Sequence, residues 1–239
     1  MSPDFRLPHH LPKVGGGDGA DPYRLPRQRR GTTPQMHGRY PDYDCLEQSG
    51  HWDAPTRNLV RSRVEDVPEL RFFDAAQVAA LTAFCDLVLA QDAEPRIPVL
   101  PFVDRKLAEG RLDGFRYAGM PDDRETWRLV AAGLDFSARE RGSSSFAAAE
   151  PAVQEELVDA FGGGRLAGGP WDRVDVKRAF GVVIRGVLGA FYSHPWAWNE
   201  IGFGGPAYPR GYAVLGIGAG EPWEPDEAAA TDPGKPGPG

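Results

Sequence analysis

A chain of 239 residues with 41% hydrophobic content and a mean hydropathy of -0.43 is long enough for one large soluble domain, or for a domain with tails. Its formal net charge of -7 argues against general nucleic-acid binding, because a phosphate backbone needs a positive surface. Two cysteines, Cys45 and Cys85, are too few for a disulfide scaffold, and their separation fits no zinc pattern.

Residues 1–40 read as a disordered arm. Pro3, Pro8, Pro12, Pro22, Pro26 and Pro34 punctuate it, Gly15-Gly16-Gly17 loosens it, and no apolar periodicity crosses it. Seven basic residues against three acidic ones make this the basic end of the chain. Residues 1–12 lack the apolar core of a signal peptide. The pair Arg29-Arg30 runs into Gly31-Thr32-Thr33-Pro34-Gln35 instead of an apolar stretch, so the expected location is cytoplasmic. Residues 41–71 read as an extended strap with one short helix near 56–63. Its anchors are sparse: Tyr43, Leu46, Trp52, Leu59, Val60, Val64 and Val67. Trp52 is costly to leave in water, which makes it an anchor, inward or toward a partner.

The next segment, 72–212, reads as a helical domain. The first of its helices spans 74–90. Asp74 caps it and Gln77 completes a capping box, while Val78, Leu81, Phe84, Cys85, Val88 and Leu89 form its buried stripe. Asp86 lies beside that stripe and is expected to be hydrogen-bonded. A second helix covers 99–109, with Leu100, Phe102, Val103 and Leu107 inward, Pro101 in the first turn and Gly110 at the end. A connector holding Phe115 and Tyr117 leads to a third helix. That helix starts at Pro121, runs to about Arg141, and puts Trp127, Val130, Ala131, Leu134 and Ala138 on one side. Gly142-Ser143-Ser144-Ser145 breaks it. Pro151 opens a fourth, carrying Val153, Leu157, Val158 and Phe161 up to Gly162-Gly163-Gly164.

The fifth helix is the organising one. Val176, Phe180, Val183, Ile184, Val187, Leu188 and Phe191 recur at three- and four-residue steps and make one apolar stripe. Gly181, Gly186 and Gly189 weaken it intrinsically and admit a close neighbour. Its apolar run over 179–192 is interrupted by Arg185 and is too short to span a bilayer. Pro195 is expected to end it. The stretch from Pro195 to Tyr212 reads as neither helix nor strand. No run alternates with period two for long enough to argue a sheet, so the fold class is all-α, with about five helices. Residues 213–239 form a tail, with five acidic residues against one lysine, and disorder is expected after about residue 226.

Catalytic signatures are missing. Gly162-Gly163-Gly164-Arg165-Leu166-Ala167-Gly168-Gly169 lacks the preceding strand and the Gly-Lys-Ser/Thr ending of a phosphate loop. No dinucleotide fingerprint stands after a strand. Of His9, His10, His37, His51 and His194, only the last lies in the helical domain. His194 with Glu200 is the one pair that suggests an acid-base role. Against it, His194 is expected just beyond a helix C-terminus, where an imidazole satisfies free carbonyls in its charged form. Trp196, Trp198, Phe203, Tyr208 and Tyr212, with Arg210, make a dense aromatic group of the kind that anchors protein interfaces. The same group also suits a local core folded back on the domain. His194, Asn199 and Glu200 are expected to hold the turn by bonds to its backbone.

The run His194-Pro195-Trp196-Ala197-Trp198-Asn199-Glu200-Ile201-Gly202-Phe203, continued by Gly205-Pro206-Ala207-Tyr208-Pro209-Arg210-Gly211-Tyr212, resembles the C-terminal signature of the gluconate 2-dehydrogenase subunit 3 family. Arg71-Phe72-Phe73-Asp74, Phe102-Val103-Asp104-Arg105, and Trp52-Asp53 with Thr56-Arg57 extend the resemblance over roughly 43–212. In that family a small subunit accompanies a large FAD-dependent oxidoreductase of the glucose-methanol-choline type. In membrane-bound members a cytochrome c subunit takes the electrons. The resemblance implies an accessory chain without a cofactor of its own, which supports folding, stability or export of the flavoprotein. It also makes His194, Trp196, Trp198, Asn199, Glu200, Phe203, Tyr208, Arg210, Tyr212 and Trp52 the interface candidates. Many members begin with a twin-arginine signal, so co-export to the periplasm with a partner is the alternative to a cytoplasmic location. An independent enzyme using His194 and Glu200 is the alternative function.

Overall fold

The computed structural model describes Tyr40 and residues 43–91, 94–112, 114, 116–212, 214 and 220–225. Of the arm expected over 1–40 only Tyr40 is described, and of the tail expected over 213–239 only 214 and 220–225; the rest of both, and Phe115, lie outside the described residues. Among the described residues all regular structure is helical, and the fold is all-α. A 3-10 helix at Cys45–His51 leads into α1 (Ala54–Glu65). Then come α2 (Ala75–Val88), α3 (Val99–Ala108), α4 (Asp123–Arg139), α5 (Pro151–Gly162), a second 3-10 helix at Gly169–Arg173, α6 (Val176–Phe191) and α7 (Pro195–Ile201). The five helices expected from periodicity are α2 to α6.

Aspartates set where four of these helices begin. Asp53, Asp74, Asp122 and Asp175 each accept a backbone N–H from the first turn of α1, α2, α4 and α6. The capping box of α2 is complete, with the Gln77 side chain returning to the Asp74 backbone N–H. Pro121 does not occupy the first position of α4, contrary to expectation. Asp122 takes the cap instead, and Pro121 stays one residue outside the helix. Residues 43–66 are not extended either. The Asp44 carboxylate starts the 3-10 helix and Asp53 starts α1, so two local caps override a weak apolar pattern.

Helices α2 to α6 enclose one core. On α4, Trp127, Leu129, Val130, Ala131, Leu134 and Ala138 are all buried, which gives it neighbours on several sides. Between α5 and α6, the glycine-rich stretch serves packing. Gly164, Gly168 and Gly169 take positive φ and turn the chain so that Trp171 enters the core. Its indole covers Gly133, where a Cβ would lie 2.4 Å from the ring, and its Nε1–H donates to Ser137 Oγ at 2.9 Å.

The buried row of α6 is Ala179, Val183, Val187 and Phe191, at four-residue steps. The neighbouring row expected with it, Val176, Phe180 and Ile184, is half-buried, and Leu188 is 40% exposed. The apolar stripe is wider than the face α6 buries. Of the three glycines, only Gly186 admits a close neighbour, the Trp127 ring; Gly181 and Gly189 face open space. Phe102, expected inward, is half-buried at the edge of the His194 ring.

A buried carboxylate joins the entry of α2 to α3. Asp104 is 0% exposed and accepts from the backbone N–H groups of Arg71 (2.7 Å), Phe72 (2.9 Å) and Phe73 (3.0 Å). Asp86, placed beside the α2 stripe, is ion-paired to Arg96, as its half-buried position required. No helix among the described residues is long and apolar enough to cross a membrane.

Candidate functional site

Pro195 does not end the helical structure after α6. It opens α7, because proline lacks an N–H that the first turn leaves unused and its φ is already helical. His194 is the N-cap, with its Nδ1 accepting from Trp196 N at 3.2 Å. It therefore faces helix N–H groups, not the free carbonyls expected of it. A neutral imidazole is the form that accepts there, and burial pushes its pKa down to about 4. His194 is 1% exposed and lies edge-on to Trp196 and Phe102.

Around α7 lies a second apolar core, formed by Cys45, Trp52, Val60 and Trp198, with Tyr43, Leu46 and Phe203 packed on it. The strap supplies most of it. Asn199 is fully buried and ties α7 to the strap: its Oδ1 accepts from Cys45 N at 2.8 Å and its Nδ2 donates to Asp44 Oδ1 at 3.3 Å. The expected bonds of Asn199 to its own turn are therefore replaced by bonds to a segment about 150 residues away. Cys45 Sγ–H donates to Pro195 O. Arg63, on α1, donates to Ser193 O and lies over the Trp198 ring at 5.8 Å. Trp198 Nε1–H donates to Tyr192 O at 2.7 Å.

Glycines after α7 make room for rings from distant parts of the chain. Gly202, in the left-handed region at φ 70, lies under Tyr40, Gly204 under Trp223, and Gly205 under Trp52. A Cβ at any of these positions would come within 2.4 to 2.7 Å of the ring. Arg210 stacks on the Trp223 ring at 4.0 Å and donates to Gln48 Oε1 at 3.1 Å, so it is held intramolecularly. Glu200 is 6% exposed, and burial raises its pKa to about 8. Among the described residues its Oε1 has no hydrogen-bond partner, nor does Trp52 Nε1 or Trp223 Nε1.

The ten interface candidates therefore divide. Trp52, His194, Trp198, Asn199 and Glu200 are buried against the chain itself and offer no free face. Trp196, Phe203 and Arg210 are half-buried. Tyr208 and Tyr212 stand out at 65% and 56% exposed. The aromatic group is a local core for most of its members and a surface for the last two. Sequence reading missed three contributors. Ile201, 42% exposed, adds to the surface, while Arg63 and Trp223 serve the second core. The legible signal was the run of glycines among aromatics at Gly202, Gly204 and Gly205, since a ring this close to the backbone requires a missing Cβ. Among the described residues no group of three or more His, Cys, Asp or Glu side chains is arranged to hold a metal ion.

The family model described as Gluconate 2-dehydrogenase subunit 3 matches residues 75–205. That range runs from the first residue of α2 to the glycine that lies under Trp52. Neither the curated proteins nor the solved structures compared with the chain give a match. The match covers more than half of the chain, ends inside the run His194 to Tyr212 that carried the resemblance, and takes in the whole of α2 to α7; the chain belongs to the gluconate 2-dehydrogenase subunit 3 family.

Proposed function

We propose that this chain is a non-catalytic accessory subunit of a dehydrogenase complex, docked on a larger FAD-dependent subunit of the glucose-methanol-choline type. Family membership supports a place in a multi-subunit dehydrogenase. The observation that carries the docking role is the exposure of Ile201, Tyr208 and Tyr212 in one stretch whose Gly202, Gly204 and Gly205 are covered by Tyr40, Trp223 and Trp52. Tyrosines on a rigid support give contact area at low entropic cost, which suits an interface. FAD, and a cytochrome c subunit in complexes that contain one, belong to the other subunits in this reading. The location is cytoplasmic, or extracytoplasmic by export alongside the larger subunit; cell fractionation separates the two.

Co-expression with the larger subunit tests the reading. Y208A/Y212A is expected to lower recovery of the yellow partner at least tenfold, with helical content unchanged by circular dichroism. Wild-type recovery with the double variant, or stoichiometric FAD on the isolated chain, overturns it.

A further inference from the structure

Among the described residues about half of the arginines are ion-paired. Arg61, Arg71, Arg96, Arg111, Arg139, Arg141, Arg165, Arg173 and Arg178 each have a carboxylate within ion-pair distance. Arg124 and Arg128 have none among the described residues, although they lie one turn apart on α4. Like charges at that spacing repel, and a nearby carboxylate ordinarily offsets them. Here both guanidinium groups are gathered on one ring, with Arg124 Cζ at 5.1 Å and Arg128 Cζ at 4.1 Å from the Phe72 centroid. Phe72 is itself fixed, 9% exposed and with its backbone N–H held by Asp104. Asp104 is committed to three backbone N–H groups. Glu125, between the two arginines in sequence, is turned to Arg173 at 2.7 Å. The Arg124 Nε–H is shielded from solvent and has no acceptor among the described residues. Two planar donors are thus held in place, half-buried, without the anion their geometry suits.

We propose that Arg124 and Arg128, spread on Phe72, form a docking site for the carboxylates of an acidic segment of the larger subunit. Guanidinium groups pair with carboxylates through parallel N–H bonds, and stacking on Phe72 removes the freedom that binding otherwise costs. An acidic peptide is favoured over a polyanionic surface by charge. A short segment feels only the field within about 8 Å at physiological ionic strength. A membrane or nucleic acid meets the whole molecule, whose formal net charge is -7. The naming of the larger subunit rests on the accessory-subunit reading; the carboxylate site itself does not.

Nuclear magnetic resonance on the full-length chain tests the site without a partner. The arginine Nε–H resonances are monitored while a hexaglutamate peptide is added. Those of Arg124 and Arg128 are expected to shift and saturate at concentrations that leave Arg185 unmoved, Arg185 being an exposed α6 guanidinium without a carboxylate partner among the described residues. R124Q/R128Q keeps the stems on Phe72 and is expected to weaken binding at least tenfold, and R124K/R128K by less. Equal movement of Arg185, or unchanged binding by the Gln variant, overturns the site. Tighter saturation by inorganic phosphate, or by vesicles of anionic phospholipid, overturns the acidic peptide as occupant. In co-expression, R124E/R128E is expected to lower recovery of the larger subunit at least tenfold and to remove its salt dependence. Hexaglutamate binding with undiminished recovery overturns the larger subunit as occupant. Y208A/Y212A leaves the peptide titration unchanged, so the failure of either reading is seen separately.

Discussion

Glu200 and His194 are buried near each other in sequence and pull stability in opposite directions with pH. Glu200 holds its proton in the fold up to about pH 8, against an ordinary 4.5. The folded chain then binds more protons than the unfolded chain, and stability falls as pH rises through that window. His194 stays neutral in the fold down to about 4, against an ordinary 6.5, so its contribution rises with pH until 6.5. The two offset one another from about 4.5 to 6.5, and from 6.5 to 8 only the fall remains. One proton per molecule limits that slope to about 1.4 kcal/mol per pH unit. E200Q is expected to flatten it, as read from urea midpoints at several pH values. The same slope in both proteins would falsify the burial account of Glu200. The glycines of α6 supply a second contrast at this scale. Gly186 lies under Trp127 with 2.8 Å to an added Cβ, so G186A is expected to lose about 1–3 kcal/mol by overpacking. Gly189 meets nothing within 4 Å, and G189A is expected to gain about 0.5–1 kcal/mol from helix propensity. Thermal unfolding of the two variants decides it, and equal signs contradict the packing described.

At the scale of elements, the seam between α3 and the entry to α2 depends on one side chain. Asp104 takes three backbone N–H groups, of which those of Phe72 and Phe73 are buried and that of Arg71 part-buried. D104A leaves them unsatisfied, and a loss of about 3 kcal/mol or more is expected, since each such group costs about 1–3 kcal/mol. D104N retains an oxygen and is expected to lose less. Denaturant unfolding that finds both variants within about 0.5 kcal/mol of wild type contradicts the role given to Asp104. α7 shows how a short helix of modest intrinsic stability persists. Seven residues lie below the length at which a helix forms alone. The His194 cap, the proline at the first position and Asn199 gripping the strap make up the difference.

Across the whole molecule the two cores differ in composition and in how well they are satisfied. The core of α2 to α6 is large and apolar. The second is small, brings together residues from 43–66, α7 and 203, and keeps Glu200 Oε1 and Trp52 Nε1 beside it without partners among the described residues. It is expected to open first. W198A removes its centre and is expected to cost about 3–5 kcal/mol there. Limited proteolysis should then cut within 43–66 while α2 to α6 stay protected. Loss of all protection at once in W198A argues for one cooperative unit instead. V187A, in the main core, is expected to lower the global unfolding midpoint without that local cleavage.

Caps and periodicity are local, and for that reason α2 to α6 were legible. Asp74 with Gln77, Pro151, and the spacing of Trp127, Val130, Leu134 and Ala138 each act within one or two turns. The aromatic density after Phe191 marked where the chain does something unusual. It did not divide core from surface, because Trp198 and Tyr208 are both large aromatics of the same run; one lies at 6% exposure and the other at 65%. That division depends on Cys45 and Trp52, which arrive from far along the chain to pack with Trp198 and Gly205, and on Trp223, which folds back over Gly204. His194 shows the same limit. Its neighbours placed it beside a helix end, and only the appearance of α7 decided that it faces N–H groups and stays neutral. The sequence by itself determined the helical class, the family and the five main helices. Tertiary structure alone decided which aromatics are covered and which charges are left without partners, because burial and pairing are properties of segments that sequence distance does not bring together.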